Sequence, residues 1–268
     1  MGQENSITIS SDINIITSHI THYESNVGKN KLINKSRTFA SPREEILSLS
    51  SETTSTSSTS KSENVALIFC NSYYGTRYDL GDSAINDGIL CHQQFQKYNY
   101  KVLMFYDVST TIFKQTITHH LRQHYNKLVI YFIGHGVQIN DKQNDEKDNY
   151  DECLFFRDGR VVDDEIASIV NDNNKCPNLR LIADCCHSGS IYDIPSREDI
   201  ITISACSDSQ TAKQDWINHK GNGVFTYYFW KYLPESNKDG KILQKKMNEK
   251  LKRYAQTCEF NYLTKEVV

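Results

Sequence analysis

Leu128-Val129-Ile130-Tyr131-Phe132-Ile133-Gly134-His135-Gly136 sets the frame for the whole chain. Leu128–Ile133 lacks the polar alternation of a half-exposed strand, so it is expected as a strand covered on both faces. Strands of that kind belong to parallel sheets, where one strand reaches the next through a helix. The flanking sequence supplies both. Upstream, Val65–Cys70 and Lys101–Tyr106 read as strands. Between and after them, Ser83–Tyr98 carries Ile85, Ile89, Leu90 and Phe95 at helical spacing, and Thr110–Tyr125 carries Ile112, Phe113, Ile117 and Leu121. Downstream, Gln138–Asn149 reads as a polar loop and Asp158-Gly159 as the turn of a small hairpin. Asp163–Val170 reads as a helix with acids in its first turn, Leu179–Ala183 and Ile200–Ala205 as the fourth and fifth strands, and Gly223–Tyr232 and Ile242–Tyr254 as closing helices. The pattern predicts an α/β fold, a mainly parallel central sheet with helices on both faces. Functional groups in such sheets gather at the carboxyl ends of the strands.

Two of those ends carry chemistry. The third strand runs into Gly134-His135-Gly136. The fourth runs into Asp184-Cys185-Cys186-His187-Ser188-Gly189. A histidine between glycines has little steric cover, and a cysteine just past a strand lies near unpaired backbone N–H groups. Together they suffice for nucleophilic acyl transfer, the imidazole taking the thiol proton and the thiolate attacking a carbonyl. Taken singly, the cysteine reads as a small core residue and Gly-His-Gly as a turn. A metal site at Cys185-Cys186-His187 is not expected, because no second Cys/His pair stands at suitable spacing.

Composition narrows the classes. Of 268 residues, 30 are Lys or Arg and 33 Asp or Glu, giving a net charge of −3 and no basic signature for nucleic acid. No apolar run approaches the length of a membrane span, and the start shows no secretory pattern. Eight cysteines without such a leader predict reduced thiols inside a cell. From Ser41 to Ser62, 13 of 22 residues are Ser or Thr. Residues 1–62 are therefore expected as a flexible head before a domain at 63–268. The Ile spacing within residues 7–20 decides nothing.

Asp-x-Cys-His-Ser-Gly after one strand and Gly-His-Gly after its predecessor, 51 residues apart, resemble the metacaspases, relatives of the caspases, whose own separation is about 50. The likeness runs from about Val65 to Tyr232. It includes Asn86-Asp87, Asp145–Glu152, Ser204-Ala205-Cys206 with Gln210-Thr211-Ala212, and Gly223-Val224-Phe225-Thr226; the short distance from Cys186 to the last motif is that of type I members. The resemblance implies a caspase-like sandwich, Cys186 as nucleophile with Cys185 a bystander, His135 as base, and the backbone N–H groups of Gly136 and Cys186 as oxyanion hole. The head would be a short prodomain. Ile133 stands where the family commonly has Ser, in the expected pocket wall, and Asn149 where it has Gly.

Asp184 and Asp87 match the family's acidic S1 pocket, where a carboxylate pair takes an Arg or Lys side chain. Without the family, Asp184 reads as a turn cap and Asp87 as a solvated helix acid. Asp151, Asp163, Asp164 and Asp193 fall on the positions that bind calcium in type I metacaspases; alone, Asp163-Asp164 reads as a helix N-terminal acid pair. The expected protein is thus a calcium-dependent cysteine endopeptidase cleaving protein substrates after Arg or Lys, monomeric and cytoplasmic. Two alternatives stand beside it, a catalytically weak caspase-fold interaction or proteostasis module and an Asp-specific peptidase. The acidic pocket opposes the latter. Met1-Gly2-Gln3-Glu4-Asn5-Ser6 fits a myristoylation pattern, and a single acyl chain at Gly2 would hold a membrane weakly.

Overall fold

The computed structural model describes residues 63–140, 150–194, 198–261 and 266–268. The Ser/Thr-rich head with Gly2 lies outside them, as do Asp145–Asn149 of the acidic segment.

Five parallel strands carry the central sheet: β1 (Asn64–Cys70), β2 (Lys101–Tyr106), β3 (Lys127–Ile133), β7 (Leu179–Asp184) and β8 (Ile200–Ser204), with a two-residue antiparallel β11 (Glu259–Phe260) at one edge. Their order is β11-β8-β7-β3-β1-β2. β3 and β7 are neighbours in register, Phe132 opposite Ala183 and Ile133 opposite Asp184. The two chemically loaded segments therefore leave adjacent strands at the same end. The strands are buried on both sides because their side chains serve two layers. Ala66, Ile68, Val129, Tyr131, Ile182 and Ile203 share a cluster with helices α1 (Ser83–Lys97), α4 (Val224–Tyr232) and α5 (Gly240–Leu251). On the opposite face Phe69 packs edge-on against Phe113 of α2 (Thr110–Leu121), which meets Phe156. Helix α3 (Asp163–Asn173) packs beside α2.

Several boundaries differ from the expectation. The polar loop begins as strand β4 (Gly136–Asn140), which pairs antiparallel with β5 (Tyr150–Phe156), itself paired with β6 (Gly159–Val162). Val137 and Ile139 alternate there with Gln138 and Asn140, a half-covered pattern. The β5–β6 turn centres on Arg157-Asp158, and the Asp158 carboxylate caps Thr110 N–H at 2.9 Å. α2 stops at Leu121, whose carbonyl accepts Lys175 N–H. α5 stops at Leu251 because a 3-10 turn follows and Ala255 adopts φ 53°. A hairpin of β9 (Gln214–Ile217) and β10 (Lys220–Gly223) precedes α4 and packs on α1. Ile133 is 3% exposed and belongs to the main cluster, so it supports the site from within the core.

Candidate active site

At the end of β3, three contacts fix His135. Its backbone N–H donates to the Tyr73 hydroxyl at 2.8 Å, and its carbonyl accepts Phe155 N–H at 3.0 Å. Its Nε2 lies 2.8 Å from the Tyr78 carbonyl. A carbonyl only accepts, so Nε2 carries the proton and Nδ1 is the basic nitrogen. The ring lies over Tyr73 at 4.8 Å between centroids, with Tyr78 and Phe155 edge-on.

Gly136 shows why no side chain is tolerated after that histidine. A methyl placed there would lie 1.9 Å from the Cys186 carbonyl oxygen and 3.0 Å from Cys185 Sγ. The two backbones assigned to the oxyanion hole are therefore in direct contact. Gly134 is equally confined: a methyl would lie 2.5 Å from the Tyr73 hydroxyl.

Cys186 is half-buried, and its thiol donates to the Ala212 carbonyl at 3.9 Å. Burial pushes this thiol above its ordinary range, so it rests protonated. Cys185 is 1% exposed, its thiol raised well above normal by burial. After Cys186, His187 takes φ 50°, which turns the chain off the strand axis. Its N–H donates to Gln210 O, and Ser190 N–H to Asp208 Oδ1 at 2.8 Å, so the loop after β8 braces the loop that carries Cys186.

Beside the thiol, Asp184 extends the face of Ile182 towards α1 and α4. Its Oδ2 accepts Thr226 N–H at 3.1 Å and the Thr226 hydroxyl at 2.6 Å. Asp87 Oδ2 accepts Gly223 N–H at 2.6 Å, while Asp87 Oδ1 is buried without a partner. A methyl on Gly223 would meet Asp184 Oδ2 at 2.7 Å and Asp87 Oδ2 at 2.8 Å, so both carboxylates converge there. Burial raises Asp184 to about 6; burial first, then the Asp184 charge, hold Asp87 well above the carboxylate range. A buried acid pair of this kind calls for a cation.

The second acidic set is not gathered. Asp163 turns inward at the start of α3, Oδ1 accepting Asp164 N–H at 2.8 Å and Oδ2 accepting Glu152 N–H at 3.3 Å; burial lifts it to about 7. Asp151 is buried, whereas Asp164 and Asp193 are exposed. Among the described residues no three His, Cys, Asp or Glu side chains stand where they could hold a metal ion. As placed, these four aspartates do not fit calcium, because they are not brought together as a set of oxygen ligands.

Sequence reasoning passed over Tyr73, Tyr78 and Asp107, and met Gly223 and Thr226 only within the Gly223-Val224-Phe225-Thr226 motif, with no role of their own. The signal was positional: Asn71-Ser72-Tyr73 and Asp107 follow β1 and β2 at the same sheet edge as His135 and Cys186.

The family model described as Caspase domain matches residues 63–268. Metacaspase-2 of Arabidopsis thaliana is 36% identical over 109 residues, 38% of this chain and 26% of that protein. Metacaspase-1 of the same plant is 30% identical over 144 residues, 41% of this chain and 39% of that protein. The matches thus span about a quarter to two fifths of these relatives' length. The solved structure of Caspase-1 from Spodoptera frugiperda superposes with a TM-score of 0.55 at 13% identity, over 75% of this chain and 86% of that one, a likeness of fold.

Proposed function

The chain belongs to the caspase-domain family, and from that premise we propose that it is a cysteine endopeptidase cleaving peptide bonds after Arg or Lys. The observation that carries the specificity is the buried Asp87–Asp184 pair at Gly223, with Asp87 Oδ1 unpartnered and Asp184 two residues before the nucleophile. A guanidinium or ammonium entering there gains charge-assisted hydrogen bonds, whereas an acidic side chain meets two carboxylates.

In this mechanism His135 Nδ1 takes the proton of Cys186 as the thiolate attacks the scissile carbonyl. The tetrahedral oxyanion lies against the backbone N–H groups of Gly136 and Cys186. The imidazolium returns its proton to the departing amine, leaving a thioester. Water, deprotonated by the same imidazole, then hydrolyses that thioester. The Tyr78 carbonyl holds Nε2–H throughout and keeps the ring in the useful tautomer. Because the thiol rests protonated, its proton has to pass to His135 for the attack to proceed.

Protein chains are the substrate class of this activity. No helix among the described residues is long and apolar enough to cross a membrane. All eight cysteines are unbridged, which supports a reducing compartment, and the enzyme is taken as a monomer. Calcium, implied by the family resemblance, has no step in this mechanism. Activity against calcium concentration, for wild type and an Asp163→Ala/Asp164→Ala variant, decides whether the ion is required. The test of the function itself is hydrolysis of fluorogenic peptides with Arg, Lys or Asp at P1. Cleavage confined to the basic peptides is expected; cleavage after Asp, or none in folded protein, overturns the proposal.

A further inference from the structure

We propose that Tyr73 is the positioning residue for His135: its hydroxyl and ring, held in a left-handed turn by Asp107, fix the imidazole where it takes the Cys186 proton. The inference rests on the Cys186–His135 chemistry just described, and it names a residue on a different strand end.

Tyr73 follows β1, is fully buried, and has φ 55°. A bulky side chain in that conformation is strained and persists only where its surroundings over-determine it. Asp107, just past β2, does so. Its Oδ1 accepts Ser72 N–H at 2.8 Å and Tyr73 N–H at 2.9 Å, and its Oδ2 accepts the Ser72 hydroxyl at 3.1 Å. Asp107 itself takes φ 45°, its N–H tied to Cys70 O at 3.0 Å. Two neighbouring strand ends are thus locked into unusual backbone with one outcome: the Tyr73 ring is delivered beneath His135.

The hydroxyl then serves both partners. It accepts His135 N–H at 2.8 Å and donates to Phe155 O at 2.7 Å, joining β3 to β5 across the histidine. Phe155 N–H closes the loop on His135 O. Both backbone groups of the histidine are therefore held, one directly through Tyr73. The confinement of Gly134 belongs to the same device, since any side chain there would displace the hydroxyl. The ring adds a second effect. Its face lies 4.8 Å from the imidazole at 32°, where an aromatic face favours the imidazolium formed during acyl transfer.

Tyr73→Phe keeps the ring and removes both hydrogen bonds. It should lower kcat about 10- to 100-fold, with KM for a P1-Arg peptide within about twofold, because a small misplacement of a catalytic group acts on the chemical step. Asp107→Ala should lower kcat similarly, while Asp107→Asn, which retains an acceptor for both N–H groups, should restore it. In protein labelled with 15N-histidine, the His135 signal, assigned by its loss in His135→Asn, should show the Nε2–H tautomer in wild type and a tautomer mixture in Tyr73→Phe. A Tyr73→Phe enzyme with wild-type kcat and wild-type His135 shifts overturns the proposal, as does equal activity of the two Asp107 variants. Should Tyr73→Phe not fold, the Asp107 pair and the His135 shifts of Asp107→Ala decide it in the same way. If wild type cleaves no basic peptide, the proposed specificity fails, while the 15N signature still decides the role of Tyr73.

Discussion

Cys185 and Cys186 are adjacent in the chain and differ in everything that matters to reactivity. One is sealed against Gly136; the other is half-open at the loop. Cys186→Ala should remove turnover by about 10⁴-fold or more. Cys185→Ala should retain most activity and cost only the ~1 kcal/mol of a small cavity. Kinetics of the two purified variants check this, and comparable losses would reverse the assignment. Asp184 offers a test through pH. Its carboxyl sits near 6 in the folded protein, above the ordinary 3.8, so folding binds its proton more tightly. That stabilisation is complete below about 3.8 and is lost as pH rises through about 6. Asp184→Asn should therefore melt higher than wild type at pH 7–8, by a few degrees, and converge with it near pH 4. The same variant should lose P1-Arg cleavage by the equivalent of about 2–5 kcal/mol. Melting curves from pH 4 to 8, set beside Arg-peptide kinetics, test both halves; unchanged kinetics would sink the acidic pocket.

At the scale of elements, the site depends on how closely strand ends approach. Gly136→Ala forces a methyl within 1.9 Å of the Cys186 carbonyl, so β3–β4 and the nucleophile's loop must separate. A displacement of about an ångström predicts a loss on the order of 10²-fold in kcat. Wild-type kcat in a folded Gly136→Ala enzyme would contradict that packing. The same scale explains what could be read without coordinates. β1, β3, β7 and β8 were legible because strands covered on both faces become near-continuous apolar runs, Leu128–Ile133 above all. The β9–β10 hairpin was not, since Gln214, Asp215 and Trp216 are exposed and Gly221 and Gly223 carry no pattern. β4 hid in a polar segment because it has only two apolar side chains, Val137 and Ile139, alternating with Gln138 and Asn140. That His135 and Cys186 come to one end of the sheet was legible because each follows an apolar strand, β3 and β7, and these two strands are neighbours. Tyr73 could not be placed, because its partners Asp107 and Phe155 are 34 and 82 residues away and no local rule joins them.

For the molecule as a whole, we propose that residues 63–268 fold without the Ser/Thr-rich head. Among the described residues, one cluster unites both ends of that span, from Ala66 to Val268, drawing on α1, α4, α5, the central strands and the C-terminal Cys258, Phe260, Val267 and Val268. A chain of residues 63–268 should melt within about 3 °C of the full-length protein, a difference near 1 kcal/mol for a domain this size. A loss of cooperative unfolding on deletion would show that the head contributes structure.

The wiring of the pocket has a consequence for how the protein is made. Asp87 finds its Gly223 partner 136 residues later, and Asp184 finds Thr226 after 42. Synthesis on a ribosome runs in one direction, so Asp87, Asp184 and Cys186 emerge well before the Gly223 and Thr226 groups that hold the two carboxylates. Until Thr226 has left the exit tunnel, Asp87 and Asp184 lack the N–H and hydroxyl partners that hold their carboxylates together in the finished fold.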